Sequence, residues 1–253
     1  MPITKLNAPS DNTRALPGFC VRPKFRWKDA DEIYIGAGEY HHEGTTEQIV
    51  YWDSELTFAA GSGGSNADSV DLAASDWYYL YIDDSAVVTL GATLLTAAQL
   101  VMNITAPTYS AAKHGWYNGL DRCIFADLTT GANALIEFFN DGDTVLWANG
   151  VTNQTDIDID TTFTDIGALI IPAFATLGTC TFHSINGLAW SWRTNGQTGT
   201  GSHLAVYSTA TQEGYDTTDV ITDSSQIIEV RNNVSGAQTI SCSTEGWKFP
   251  TGM

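Results

Sequence analysis

Asp156-Ile157-Asp158-Ile159-Asp160 alternates a carboxylate with a β-branched apolar residue in strict period two. Only extended backbone sends successive side chains to opposite faces, so the stretch predicts a strand with isoleucines inward and three carboxylates in water. Short β-type runs flank it on both sides. Ile33–Ile35, Gln48–Trp52, Glu55–Phe58, Trp77–Ile82, Arg122–Leu128, Ala134–Phe139 and Thr144–Trp147 precede it. Ala168–Phe174, Cys180–Ile185, Leu188–Arg193, Leu204–Tyr207, Gln226–Arg231 and Gln238–Cys242 follow it. Gly, Asn, Asp and Ser separate the runs at intervals of about 8 to 14 residues, the pattern of an all-β sandwich or barrel. The expected fold is an all-β sandwich, jelly-roll-like or Ig-like.

One segment departs from this rhythm. In Thr93–Met102, Leu94, Leu95, Ala97, Ala98 and Val101 fall at helical spacing, which predicts one short helix over 93–102. Residues 106–121, with Pro107, Gly115 and Gly119, read as a long ordered loop packed by Tyr109, Trp116 and Tyr117. Ala148-Asn149-Gly150 marks a break, so 29–150 and 151–253 are either two small sandwiches or two halves of one.

The chain has 253 residues and a net charge of −18, with 43% apolar and 11% aromatic residues. That composition buries a sizeable core and excludes a disordered chain or a small disulfide scaffold. So acidic a protein repels phosphate, which argues against nucleic acid and anionic membranes as partners. No apolar run approaches the length of a membrane helix, and the N-terminal stretch has no apolar signal core, which predicts cytoplasmic synthesis without membrane insertion. The charge is unevenly placed. Lys5, Arg14, Arg22, Lys24, Arg26 and Lys28 stand against the single acid Asp11 in residues 1–28, a local charge of +5; the remainder, with five basic and 28 acidic residues, carries −23. Pro2, Pro9, Pro17 and Pro23 favour extended backbone there, so residues 1–28 are expected to form an anchoring arm that docks on an acidic surface, including that of another copy.

Candidate chemistry is sparse. His41 and His42, beside Glu39 and Glu43, point to opposite faces of any strand and so do not share a metal; they read as a solvated loop pair. Asp156, Asp158 and Asp160 begin like a calcium loop, but Thr161 stands in place of the turn glycine and Gly167 in place of the bidentate glutamate. Cys20, Cys123, Cys180 and Cys242 are scattered and read as free thiols. No nucleophile elbow or phosphate-cradling glycine loop is present, so no catalytic residue, metal ligand or cofactor is assigned. Trp116, Tyr117, Trp190 and Trp192 are candidate glycan platforms, because a flat aromatic face suits the apolar face of a sugar.

Gly36–Phe58, Asp76-Trp-Tyr-Tyr-Leu-Tyr-Ile-Asp-Asp84 and Lys113-His-Gly-Trp-Tyr-Asn-Gly-Leu-Asp-Arg-Cys-Ile-Phe125 resemble uncharacterised structural proteins of tailed bacteriophages. Ile227–Gly236 through Gly246-Trp-Lys-Phe-Pro250 is similar to the end of a phage fibre or decoration domain. The resemblance touches most of the chain after residue 30 and implies a non-enzymatic virion protein, a head decoration or tail fibre subunit. It implies capsid, portal, tail or adaptor proteins as partners, a homotrimer, and assembly in the bacterial cytoplasm. A host-glycan binding module and a polysaccharide-degrading enzyme are the rival expectations.

Overall fold

The computed structural model describes residues 18–184, 189–199, 203–207 (backbone only), 213–233 and 238–253. Among them the strands form four antiparallel sheets. The largest has eight strands in the order β18 (Gly214–Ile221), β15 (Leu177–Ser184), β20 (Gln238–Lys248), β13 (Thr144–Ile159), β12 (Phe138–Asp141), β2 (Phe25–Trp27), β3 (Glu32–Ile35) and β6 (Leu56–Ala59). A five-stranded sheet runs β8 (Leu100–Asn103), β7 (Trp77–Ile82), β11 (Asp121–Leu128), β10 (Gly115–Asn118) and β9 (Thr108–Ser110). A four-stranded sheet runs β14 (Thr164–Asp165), β19 (Ile228–Asn232), β16 (Ala189–Thr194) and β17 (His203–Tyr207). The smallest is β1 (Cys20–Val21), β4 (Gly38–Glu43) and β5 (Glu47–Trp52). The protein is an all-β sandwich.

Alternation sets which face is covered. In β15 Gly178, Cys180, Phe182 and Ser184 are buried while Thr179, Thr181 and His183 look outward; in β20 Ile240, Cys242 and Thr244 turn inward. Phe182 meets Trp190 of β16 at 4.3 Å, joining this end of the large sheet to the four-stranded one. At the other end Phe25 of β2 and Phe138 of β12 lie 4.3 and 5.0 Å from Phe125 of β11, which joins it to the five-stranded sheet. All these residues belong to one hydrophobic core. The large sheet is therefore a shared layer, and β13 runs straight through Ala148-Asn149-Gly150: the expected break is a bulge, where the register with β20 shifts between Leu146 and Val151.

The sequence expectations need four corrections. The helix expected over 93–102 shrinks to a single 3-10 turn, Ala97–Gln99, closed by Thr96 and Gln99, because Leu100–Asn103 is drawn into pairing with β7. The α-helix is α1 (Asp84–Leu90), whose cap Asp83 accepts the Ser85 and Ala86 N–H groups and which ends on Gly91 at φ 60°. The loop expected over 106–121 contains the β9–β10 hairpin. Ala168–Phe174 forms no strand; Pro172 interrupts it, and Leu169, Ile171 and Phe174 plug the core from irregular backbone. No helix among the described residues is long and apolar enough to cross a membrane.

The arm also ends earlier than expected. Lys5 and Arg14 lie outside the described residues, but from Cys20 onward the chain is part of the body, with Phe25 completely buried. Arg22 donates twice to the Met253 main-chain oxygen, at 2.9 and 2.7 Å, and pairs with Asp143. Arg26 pairs with Glu55 and Lys28 with Glu32, both at 2.5 Å; Lys24 is exposed. Period-two burial of Phe25 and Ile33 on adjacent strands, with Arg26 and Tyr34 outward, holds this segment in the sheet.

Candidate functional site

The hairpin β9–β10 sets Trp116 directly opposite Tyr109, and the rings meet edge to face with centroids 5.5 Å apart. Trp116 is held in place: its indole N–H donates to the Thr251 oxygen at 3.1 Å, and its ring lies 5.8 Å from Phe174. Phe174 continues to Trp247 at 5.3 Å, so the surface aromatic is braced by the core. Tyr109 is 46% exposed. The chain leaving β20, Lys248-Phe249-Pro250-Thr251, forms the facing wall with Asp143, Thr176 and Leu177, and an open groove of about 540 Å³ lies between.

Charges of both signs sit on its rim. Lys248 pairs with Asp219, and Asp143 with Arg22. Partial burial pushes the Asp219 carboxyl up, but the Lys248 ammonium and the Thr179 hydroxyl outweigh it and hold the group below the usual carboxylate range. Paired aromatic faces with hydroxyl and charged groups at the edge are chemically suited to a sugar ring, whose apolar face stacks while its hydroxyls find polar partners.

Of the four aromatic residues expected to bind glycan, Trp116 alone lines this groove. Tyr117 points the opposite way and is buried, its hydroxyl accepting the Glu43 N–H at 3.3 Å. Trp190 and Trp192 are 1% and 4% exposed, because the face they share packs inside the sandwich against Phe182. These three are corrected from surface platforms to core residues. Tyr109 was missed as a site residue; Thr108-Tyr109-Ser110 and Gly115-Trp116-Tyr117-Asn118 around Ala111–His114 carried the hairpin signal that aligns it with Trp116.

The two histidines occupy opposite faces of β4, as strand geometry requires, but neither is solvated: both are buried, since β4 is the middle strand of its sheet. His41 places its two ring nitrogens 3.2 and 3.3 Å from the Glu43 and Glu47 carboxylates. His42 Nε2 lies 3.0 Å from Asp84 Oδ1. Asp84 also accepts the Thr45 N–H at 2.8 Å and the Thr45 hydroxyl at 2.6 Å. Burial lowers the His42 pKa from its ordinary value, against the pull of Asp84. A Cβ on Gly44 would come within 1.7 Å of Asp84 Oδ1, so this contact requires glycine there. Arg122, fully buried, donates to the His41 carbonyl and, at 3.2 Å, to that of Gly252, with its guanidinium 5.2 Å from the Tyr40 ring. The cluster ties β11, β4 and α1 together, and its two imidazoles do not converge on a common point.

Asp156, Asp158 and Asp160 are exposed, with Ile159 buried and Ile157 packed on the core, as the alternation predicts. Asp156, at φ 52°, sits where the register with β20 shifts between Gln154 and Ile157 and donates its N–H to the Ser241 hydroxyl at 3.1 Å; Asp160 accepts the Thr162 N–H at 2.6 Å. Among the described residues, Asp29, Asp31 and Glu32 are the carboxylates that converge, within 4.8 Å of one another, and Lys28 already pairs with Glu32. The four cysteines are free thiols.

No family model matches the chain, and no curated protein matches it.

Proposed function

We propose that this chain is a non-enzymatic structural subunit of a tailed-bacteriophage virion, a head decoration or tail fibre protein. It assembles as a homotrimer with other virion proteins in the bacterial cytoplasm. The observation that carries this reading is the division of the basic N-terminal stretch. Arg22, Arg26 and Lys28 are satisfied within the body, so docking to an acidic neighbour falls to Lys5, Arg14 and the exposed Lys24. The local resemblance of Gly36–Phe58, Asp76–Asp84 and Lys113–Phe125 to phage structural proteins supports the same reading. Removing residues 1–17 is expected to abolish incorporation into particles while leaving the thermal unfolding midpoint in place. Removing residues 1–28 takes away buried Phe25 and unfolds the body. Undiminished incorporation of the shorter form would overturn the proposal.

The groove beside Tyr109 and Trp116 favours a second reading, recognition of a host glycan by the same subunit. Tyr109→Ala and Trp116→Ala are expected to abolish binding of the purified protein on a glycan array and to slow adsorption. Unchanged adsorption removes this reading and leaves the structural one intact.

A further inference from the structure

The outer face of the eight-stranded sheet carries a row of side chains in direct cross-strand register: Tyr34, Arg26, Phe139 and Leu146. Phe139 and Leu146 are 61% and 39% exposed although β12 and β13 are interior strands of the sheet. Gly246, opposite Leu146, is buried, and a Cβ there would meet the Val145 oxygen at 2.0 Å, so the position stays glycine.

The charges around this apolar pair are ordered. On β2 and the residue before it, Lys24 and Arg26 point outward; on β12 and its flank, Glu137, Phe139 and Asp141 do the same. The Arg26–Phe139 register sets Lys24 level with Asp141 on strands about 4.8 Å apart. Lys24, Glu137 and Asp141 make no ion pair among the described residues, and a cleft of about 390 Å³ runs between the two strands. The free Lys24 ammonium, in line with an Arg26 guanidinium that pairs with Glu55 and lies 4.8 Å over Tyr34, thus stands beside an acidic stripe, with an exposed aromatic ring at the centre.

We infer that this face docks a second copy of the chain, outer face against outer face, about a two-fold axis parallel to the strands and midway between β2 and β12. That rotation exchanges the stripes. Lys24 meets the partner's Asp141, the Arg26 guanidinium covers the partner's Phe139, and Leu146 lies on the partner's Tyr34; each contact occurs twice, as in any isologous interface. Stripes of one sign would repel in this arrangement, whereas these attract. The contact is independent of the virion reading.

Sedimentation velocity on the full chain, from micromolar to submillimolar concentration and at low and high salt, tests it. A dimer weakened by salt is expected. Phe139→Ser should sediment as a monomer. Lys24→Glu and Asp141→Lys should each weaken association about tenfold, and the two together should restore it. All these positions are on the surface, so an unchanged unfolding midpoint shows that the fold is kept. A wild-type chain that remains monomeric overturns the inference, and so does a double swap no tighter than either single one. An oligomer indifferent to all three changes removes this face while leaving the virion reading standing.

Discussion

The two ends of the eight-stranded sheet are sealed in different ways. At the end formed by β12, β2, β3 and β6, the core is an aromatic stack in which Phe125 touches Phe25, Phe138, Trp247 and Phe249, at 4.3, 5.0, 6.0 and 6.2 Å. Buried charged groups lie on β11 and α1: Arg122, Asp127 and Asp84. At the end formed by β18, β15 and β20, the small inward residues Cys180, Ser184, Cys242 and Thr244 sit beside the aliphatic Val220 and Ile240, and Phe182 on Trp190 joins the two layers. A single sheet therefore joins an interlocked core with costly charges to a plainer one. Local stability should follow that division.

The largest expected effect tests the division directly. Phe125→Ala should cost near the upper end of the about 3–5 kcal/mol typical of large-to-small aromatic changes, since four ring contacts are lost and the surrounding rings cannot all close in. Phe182→Ala, losing one such contact, should fall near the lower end. Urea unfolding of both variants measures the difference, and equal losses would break the comparison.

A smaller effect sharpens it. Asp127 on β11 is completely buried; its Oδ1 accepts the Leu128 N–H at 2.9 Å and its Oδ2 has no partner. Burial pushes its pKa well above the ordinary 3.8. The folded state thus holds this proton more tightly than the unfolded chain does, so its contribution to stability falls as pH rises above 3.8. Asp127→Asn keeps the acceptor and removes the charge. It should stabilise the protein near neutral pH by about 1–3 kcal/mol, the cost of leaving a buried polar group unpaired, and the gain should vanish in acid. Thermal unfolding at two pH values reads both.

Much of this division is written in local sequence. Cys180-Thr-Phe-His-Ser184 alternates small or apolar with polar residues and shows a one-sided strand, while Tyr78–Ile82 is unbroken apolar sequence and is buried throughout. The extent of the arm was also legible: Phe25 and Trp27, two apart, announced a strand that the surrounding prolines and cations obscured. Legibility ends where distant segments meet. Tyr109 and Trp116 become one wall through hairpin register, and the opposite wall comes from residues 248–251, more than a hundred positions away. Ala168–Phe174 failed for another reason: burial is shared by strands and by irregular plugs, and apolar content does not separate them.

The smallest effect concerns acid. His42 is buried against Asp84, and burial holds its pKa below the ordinary 6.5, so the unfolded chain takes up a proton more readily than the folded one. Stability contributed by the neutral imidazole is complete above 6.5 and is lost as pH falls through the folded pKa, the reverse of the Asp127 dependence. His42→Gln retains a donor for Asp84 but cannot titrate. It should therefore flatten the decline of the unfolding midpoint between neutral and mildly acidic pH. If the slope persists in His42→Gln, the acid sensitivity belongs to other groups, and the buried polar cluster is a purely mechanical brace between β4 and α1.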